Sequence, residues 1–483
     1  MSFARTVSLI CALLTVNSVR GADDFSVFGP AWSDFKLTLA PGHRKEAVGP
    51  FFYSEQSESQ HTWAIPPLFS STSDPDVESR EIDFLYPIMT YDRYGGQYRW
   101  QFFQLFSIAG GETQTETFRD RFTLFPLFFH QRSSEPGENY TAYGPFYGHL
   151  KNRLMRDEIR YIMFPAFSET RKKDVVTDNY LYPIFHLRHG DNLRGWQAWP
   201  LLGYEYKGLT YSTNGFGDVT TIGGHDRWFG LWPIYYNNHN YLGTGNAQWE
   251  HGFFPAYGLL RSPQRDATTV LWPFFSRIDD REKKYTEWQT PWPLIIVARG
   301  EGKTATRVVP FFGYAHSEFL ESRFYLWPLY KYDAVHADPL ERTRYRICFF
   351  LYSDTTEKNT ETKAYRRRTD FFPLFTRRRE LDGSTRLQVL APLEPFLPGN
   401  KSLERDYSPV WSLWRDERNA RTGAASQSLL WNLYRHQQSP ETKKTSLLFG
   451  LFQYQSGSEG KKVRLFYLPA WNRPAASKET LSP

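Results

Sequence analysis

Short apolar clusters recur along the chain, each carrying aromatic residues around a proline and each running into charge. They read "TLFPLFFHQR" (123–132), "YLYPIFHLRH" (180–189), "GLWPIYYNNH" (230–239), "VLWPFFSRID" (270–279), "FYLWPLYKYD" (324–333) and "DFFPLFTRRR" (370–379). About twenty-two such clusters follow one another at intervals of roughly 16 to 24 residues, the sign of a repeat architecture. Gly-, Asp-, Ser- and Lys-rich stretches such as "RGEGKT", "LDGST" and "QSGSEGKK" lie between them and read as hairpin turns. One cluster per unit predicts one strand of about twelve to fourteen residues per unit, with the cluster at its middle and charge at its ends. The register is clearest in "RYRICFFLYSD" (344–354). A continuous strand there places Tyr345, Ile347, Phe349 and Leu351 on one face and Arg344, Arg346 and Asp354 on the other. No segment has a helical period. The expected fold is all-β, a long antiparallel meander of about 22 strands.

An open sheet of that size exposes long edges, so closure as a large β-barrel is expected, with a soluble solenoid or stacked sheets as the alternative. Strand length, polar turns and aromatic content suit an outer-membrane barrel. "SEGKKVRL" (458–465) also resembles the assembly signal of such barrels, although a further tail follows it. The prolines oppose this. Pro126, Pro183, Pro233, Pro273, Pro310, Pro328 and Pro373 all fall at cluster centres. A mid-strand proline removes a ladder donor, which hydrocarbon cannot compensate. The soluble alternative tolerates them better, because water reaches a bulge.

Composition sharpens the β reading. Aromatic residues make up 18% of a chain that is only 40% hydrophobic, a balance that suits pleated, half-buried surfaces. The net charge of +6 is spread among interspersed acids and bases, which argues against nucleic acid as a partner and suits an anionic envelope surface. Near the N-terminus, Arg5, the apolar run "VSLICALLTV" and the small residues Gly21 and Ala22 describe a secretory signal peptide over 1–21. Removing it takes away Cys11 and leaves Cys348 alone, so no intrachain disulfide is expected. The remaining organisation reads as a lead-in segment (22–49), the repeat domain (50–472) and a disordered tail (473–483).

Candidate chemistry is sparse. The chain has no phosphate-binding glycine loop, nucleophile elbow, zinc helix or paired Cys-x-x-Cys, and no cofactor is expected. "HLRHGD" brings His186, His189 and Asp191 close in sequence, but the two histidines have opposite strand parity. "GGHDRW" sets His225 beside Asp226 and Trp228, at the end of a Gly- and Thr-rich stretch (209–228) that reads as a long loop. Paired tryptophans, Trp196 with Trp199 and Trp288 with Trp292, offer faces for sugar rings.

The "WPL[FY]" units resemble those of exported bacterial repeat proteins known mainly as uncharacterised, over most of the chain after residue 50. That resemblance implies a bacterial envelope protein and supplies no activity or catalytic residue. The expectation is therefore a non-enzymatic envelope protein at the outer membrane, acting as a channel or structural component. In a barrel, Arg344, Arg346 and Asp354 would face the lumen, and His225, Asp226 and Trp228 would face a ligand. The alternative is a periplasmic or surface scaffold. Outer-membrane lipid or envelope glycan is the expected partner.

Overall fold

A computed structural model of the chain describes residues 27–112, 117–215, 217–458 and 460–474. The expected signal peptide (1–21), Cys11 and residues 475–483 of the expected tail lie outside these. The fold is all-β, an antiparallel meander with 44 strands in one hydrogen-bonded sheet. The chain divides into two compact units, one of residues 73–381 and 392–399, the other of 1–72, 382–391 and 400–483. Of the expected lead-in, Val27–Phe28, Trp32–Lys36 and Gly42–Ala47 are already strands of the second of these units.

The strand count is about double the expected 22, and the reason is the proline. Leu320–Tyr325 and Tyr330–Ala337 are separate strands, paired Tyr325 to Tyr330. Between them Leu326-Trp327-Pro328-Leu329 forms a tight turn, closed by the Leu329 N–H donating to the Leu326 carbonyl at 2.7 Å. The same closure joins Ile184 to Leu181, Ile234 to Leu231 and Phe274 to Leu271, at 2.7 to 2.8 Å. Pro126, Pro183, Pro233, Pro273, Pro310, Pro328 and Pro373 all sit in such turns, each after a cis peptide bond. A residue without an N–H costs nothing there, since the turn demands no ladder donor from it. The apolar clusters are thus chain reversals rather than strand centres, and typical strands are six residues long. No ladder joins the first strand to the last among the described residues, so closure into a barrel is not part of the observed pairing.

In the 73–381 unit, strands pair in chain order except around 208–223, where Thr210–Thr213 and Val219–Ile222 form a hairpin of their own. The expected loop at 209–228 is therefore a small hairpin followed by the sheet strand Gly224–Gly230. Just inside the prolyl turns, facing residues fill one row of the sheet. Some are small and polar: Asn179 donates to Ser168, and Thr376 to Asp370 at 2.6 Å. Others set a ring over a glycine. A Cβ on Gly313 would lie 2.0 Å from the Phe324 ring, and one on Gly203 2.2 Å from Phe229. Only glycine leaves room for a cross-strand aromatic at that distance. Phe129, Tyr140, Ala142, Leu150 and Tyr161 form a local core on the same principle of short strands with large rings.

Candidate functional site

In an antiparallel meander every second turn falls on the same edge. From residues 85–88 to 372–374, the apolar prolyl turns of the 73–381 unit take one edge, and the opposite edge holds Gly95-Gly96, Lys173-Asp174, Asp191-Asn192 and Glu301-Gly302, with the polar turns of Pro136, Pro263 and Pro339. Exposed apolar residues on that polar edge include Phe118, Leu154, Met155 and Phe319. Successive prolyl turns are tied to each other. The N–H of Tyr182 donates to the Pro165 carbonyl, that of Trp232 to Pro200, Trp272 to Pro255, Trp292 to Pro273 and Trp327 to Pro310, at 2.6 to 2.8 Å. In these five turns the aromatic before a proline bonds to the proline of the turn before it, whereas Trp199 and Phe254 bond to Ile184 and Ile234 at the end of the turn before theirs. The bond takes the backbone N–H of the residue before the proline and needs only the carbonyl of the proline, so a residue without an N–H fits the turn at no cost.

The tie brings the rings into a row. Trp199 and Trp232 lie 6.4 Å apart, Phe254 and Trp272 5.3 Å, Trp272 and Trp292 6.1 Å, and Trp327 and Phe349 5.2 Å between centroids. They remain open to solvent: Trp232, Trp272 and Trp327 expose 53%, 44% and 45% of their surface, and the flanking Leu231, Leu271 and Leu326 about as much. One edge of the unit is a continuous apolar ribbon, far larger than the scattered apolar residues of an ordinary surface.

The residues singled out in the sequence do not assemble into one site. The turn Cys348–Leu351 breaks the strand expected over 344–354 into Leu340–Ile347 and Tyr352–Asn359. Asp354 pairs with Tyr345, so it lies on the face opposite Arg344 and Arg346, contrary to the continuous-strand register. Arg346 donates to Asp333 at 2.9 Å, and Arg367 grips Asp354 with two bonds of 3.0 and 2.7 Å. His225 and Asp226 are neighbours in one strand and so point to opposite faces. His225 bonds Glu205 at 2.7 Å, and Arg188 completes the cluster. Burial pushes the Glu205 carboxyl up, but the bonds and charges of His225 and Arg188 outweigh it and hold the group down at about 2. Trp228 packs against Tyr235 with the rings tilted by 49° and their centroids 4.8 Å apart. His186 and His189 share a strand on opposite faces, and among the described residues no group of His, Cys, Asp or Glu could hold a metal.

Sequence reasoning missed a second feature, in the unit of 1–72, 382–391 and 400–483. Four arginines, Arg44, Arg386, Arg415 and Arg435, line a cavity of about 150 Å³ together with Glu46, Glu55 and Glu417. Arg44 bonds Glu46 at 2.8 Å and Glu55 at 3.2 Å; Arg386 bonds Glu417 at 2.9 Å and Glu404 at 3.3 Å. Arg435 donates to Asn432 and lies 3.4 Å over the Phe35 ring. Burial lowers the Arg435 guanidinium to about 10 despite Glu46 and Glu417, and burial with Arg386 nearby lowers that of Arg415. Arg386 is held up, first by Glu417. These residues are far apart in sequence and sit in unremarkable polar strand positions, so no local motif marks them.

Neither a protein-family model nor a curated protein matches the chain.

Proposed function

We propose that the protein is a non-enzymatic envelope protein that lies on a lipid surface, with the prolyl-turn edge seated in one leaflet. The observation that carries this is the continuous ribbon of exposed turn aromatics and leucines. A six-residue strand such as Leu320–Tyr325 reaches about 20 Å at ~3.4 Å per residue. A hydrocarbon core of about 30 Å needs strands of roughly nine to eleven residues. The apolar part covers only the turn and the strand ends beside it. Such an edge has the depth of an interfacial anchor, whereas a transmembrane channel wall needs an apolar band through both leaflets. Trp and Tyr favour the boundary between headgroups and chains, which fits Tyr182, Trp199, Trp232, Trp272, Trp292 and Trp327, each directly before a proline. Burying a Leu or Phe side chain fully contributes about 1.5–3 kcal/mol, so half-exposed side chains repeated over many turns give strong cumulative binding. Charged residues such as Arg93, Arg171 and Arg366 sit toward the other ends of their strands, where they stay in water.

Flotation with phosphatidylethanolamine–phosphatidylglycerol vesicles tests this. The mature protein is expected to float, and brominated chains should quench its fluorescence most strongly when the bromine is shallow. Replacing Trp199, Trp232, Trp272 and Trp327 together with Ser should lower partitioning at least about tenfold without changing the far-ultraviolet spectrum. Protein that stays soluble at every lipid concentration would sink the proposal. A heat-modifiable, urea-resistant outer-membrane species would replace it with a spanning barrel.

A further inference from the structure

We propose that the arginine cavity is a binding site for a small carboxylate, clamped by Arg415, Ser428 and Arg435. The three residues form one cross-strand row: Arg415 faces Ser428 in the next strand, and Ser428 faces Arg435 in the one after. Directly opposed residues point to the same face, so all three side chains project together into the cavity that they line. The two arginines are two strand spacings apart, roughly 10 Å between backbones. That leaves a gap between their guanidinium groups with the Ser428 hydroxyl at its floor.

Apart from Arg435 Nη1, which donates to Asn432, the donors in this row lack protein acceptors. The carboxylates around the cavity are already engaged: Glu46 by Arg44 and Asn432, Glu55 by Arg44, Glu417 by Arg386. Glu404, which reaches Arg386 from the helix Lys401–Asp406, brings the local charge to balance without touching the row. Among the described residues the Arg415 guanidinium and the Ser428 hydroxyl have no hydrogen-bond partner, and Arg435 Nε is buried and donates to nothing. Arg44 Nη2, also on the wall, is buried in the same condition. Leaving a buried charged donor unsatisfied costs several kcal/mol, so Arg435 Nε and Arg44 Nη2, both on the wall of the cavity beside the open Arg415 guanidinium and Ser428 hydroxyl, mark the position of an acceptor.

The chemistry of that acceptor follows from its surroundings. A guanidinium presents parallel N–H groups that match the two oxygens of a carboxylate. Arg415 takes that role, with Ser428 and Arg435 Nε donating to the remaining lone pairs. Phe35, Leu430 and Trp431 give the cavity an apolar wall on which a short carbon chain can rest. The volume admits a few heavy atoms and excludes a polymer.

The test uses the full-length protein, dialysed exhaustively into chloride buffer, with acetate as the probe. Titration calorimetry and thermal melting are run in sodium acetate against sodium chloride at equal ionic strength. Acetate is expected to release heat at saturation and to raise the melting temperature beyond the chloride control. Arg415→Met should weaken acetate binding about tenfold or more, the loss of one charge-assisted contact. It should also melt higher than the parent in acetate-free buffer, which separates loss of the site from loss of the fold. Ser428→Ala, a milder change, should weaken binding several-fold while leaving the acetate-free melt unchanged. Equal responses to acetate and chloride would mean that the cavity holds only water and would overturn the proposal. An acetate response that survives Arg415→Met would overturn it equally.

Discussion

Two turns with nearly the same residues meet opposite fates. Leu326-Trp327-Pro328-Leu329 and Leu430-Trp431-Asn432-Leu433 are both closed by a bond from the fourth N–H to the first carbonyl, at 2.7 and 2.9 Å. In the first, the tryptophan stays largely exposed and the proline carries the turn. In the second, Trp431 packs edge-on against Phe51 at 5.4 Å, and its Nε1 donates to the Val410 carbonyl at 3.0 Å. Asn432 stands in the proline's place at a φ of 66°, where asparagine is among the few side chains readily tolerated, and donates to Glu46 at 2.6 Å. The turn slot therefore does not decide whether it becomes core or edge. Having something to bond inward does: an asparagine reaches a buried carboxylate, whereas a proline offers only a carbonyl to the next turn.

The largest way to break this comparison is to empty the inward turn. Trp431→Ala removes a packed ring and a hydrogen bond, and should lower the local opening free energy of the Tyr434–Gln438 amides by about 3 kcal/mol in native-state hydrogen exchange. An unchanged exchange rate would show that the ring is as idle there as at the edge. Next comes the His225–Glu205–Arg188 cluster of the 73–381 unit. Glu205 is held at about 2 against an ordinary value near 4.5. Its contribution is thus fully present above pH 4.5 and is lost as the pH falls toward 2. Glu205→Gln should cost about 2 kcal/mol at pH 7 and almost nothing at pH 2, read from exchange of the Leu202–Lys207 amides. A cost independent of pH would contradict the charge argument. Smaller still, Asn432→Ala deletes the bond to Glu46 and should cost about 1.5 kcal/mol. A cost as large as that of Trp431→Ala would mean that the asparagine, more than the ring, holds the turn inward.

The class of fold was legible in the chain, and the reason for the doubled strand count was legible too, though it pointed the other way. Tight polar segments such as Glu301-Gly302 read as turns because Gly, Asp and Asn mark turns that water surrounds. Phe372-Pro373-Leu374 carries none of those marks except the proline, so its apolar neighbours make it read as a strand centre. The objection that a mid-strand proline is costly was already the correct signal, since removing the strand removes the cost. Site residues fared differently. His225, Asp226 and Asp354 are conspicuous in sequence, yet strand parity and one misplaced reversal send them to opposite faces. Arg415, Ser428 and Arg435 are inconspicuous and converge only through register, because each belongs to a different strand. Pairing across strands is a property of turn length, and a misread turn shifts every partner beyond it.

The smallest expected effect on stability is also the most telling about the edge. Trp327 exposes 45% of its surface, and its backbone bond to Pro310 survives any change of side chain. Trp327→Ala gives up contact with the Phe349 ring, 5.2 Å away, and little else. It should cost no more than about 1 kcal/mol in exchange of the Tyr330–Ala337 amides, a third of the cost at Trp431. The same substitution should lower vesicle partitioning measurably, by roughly a factor of three for one half-exposed ring. A side chain selected for the fold would show the reverse order, with a large loss of stability and unchanged partitioning. The sign of that difference separates a ribbon kept apolar for packing from one kept apolar for lipid.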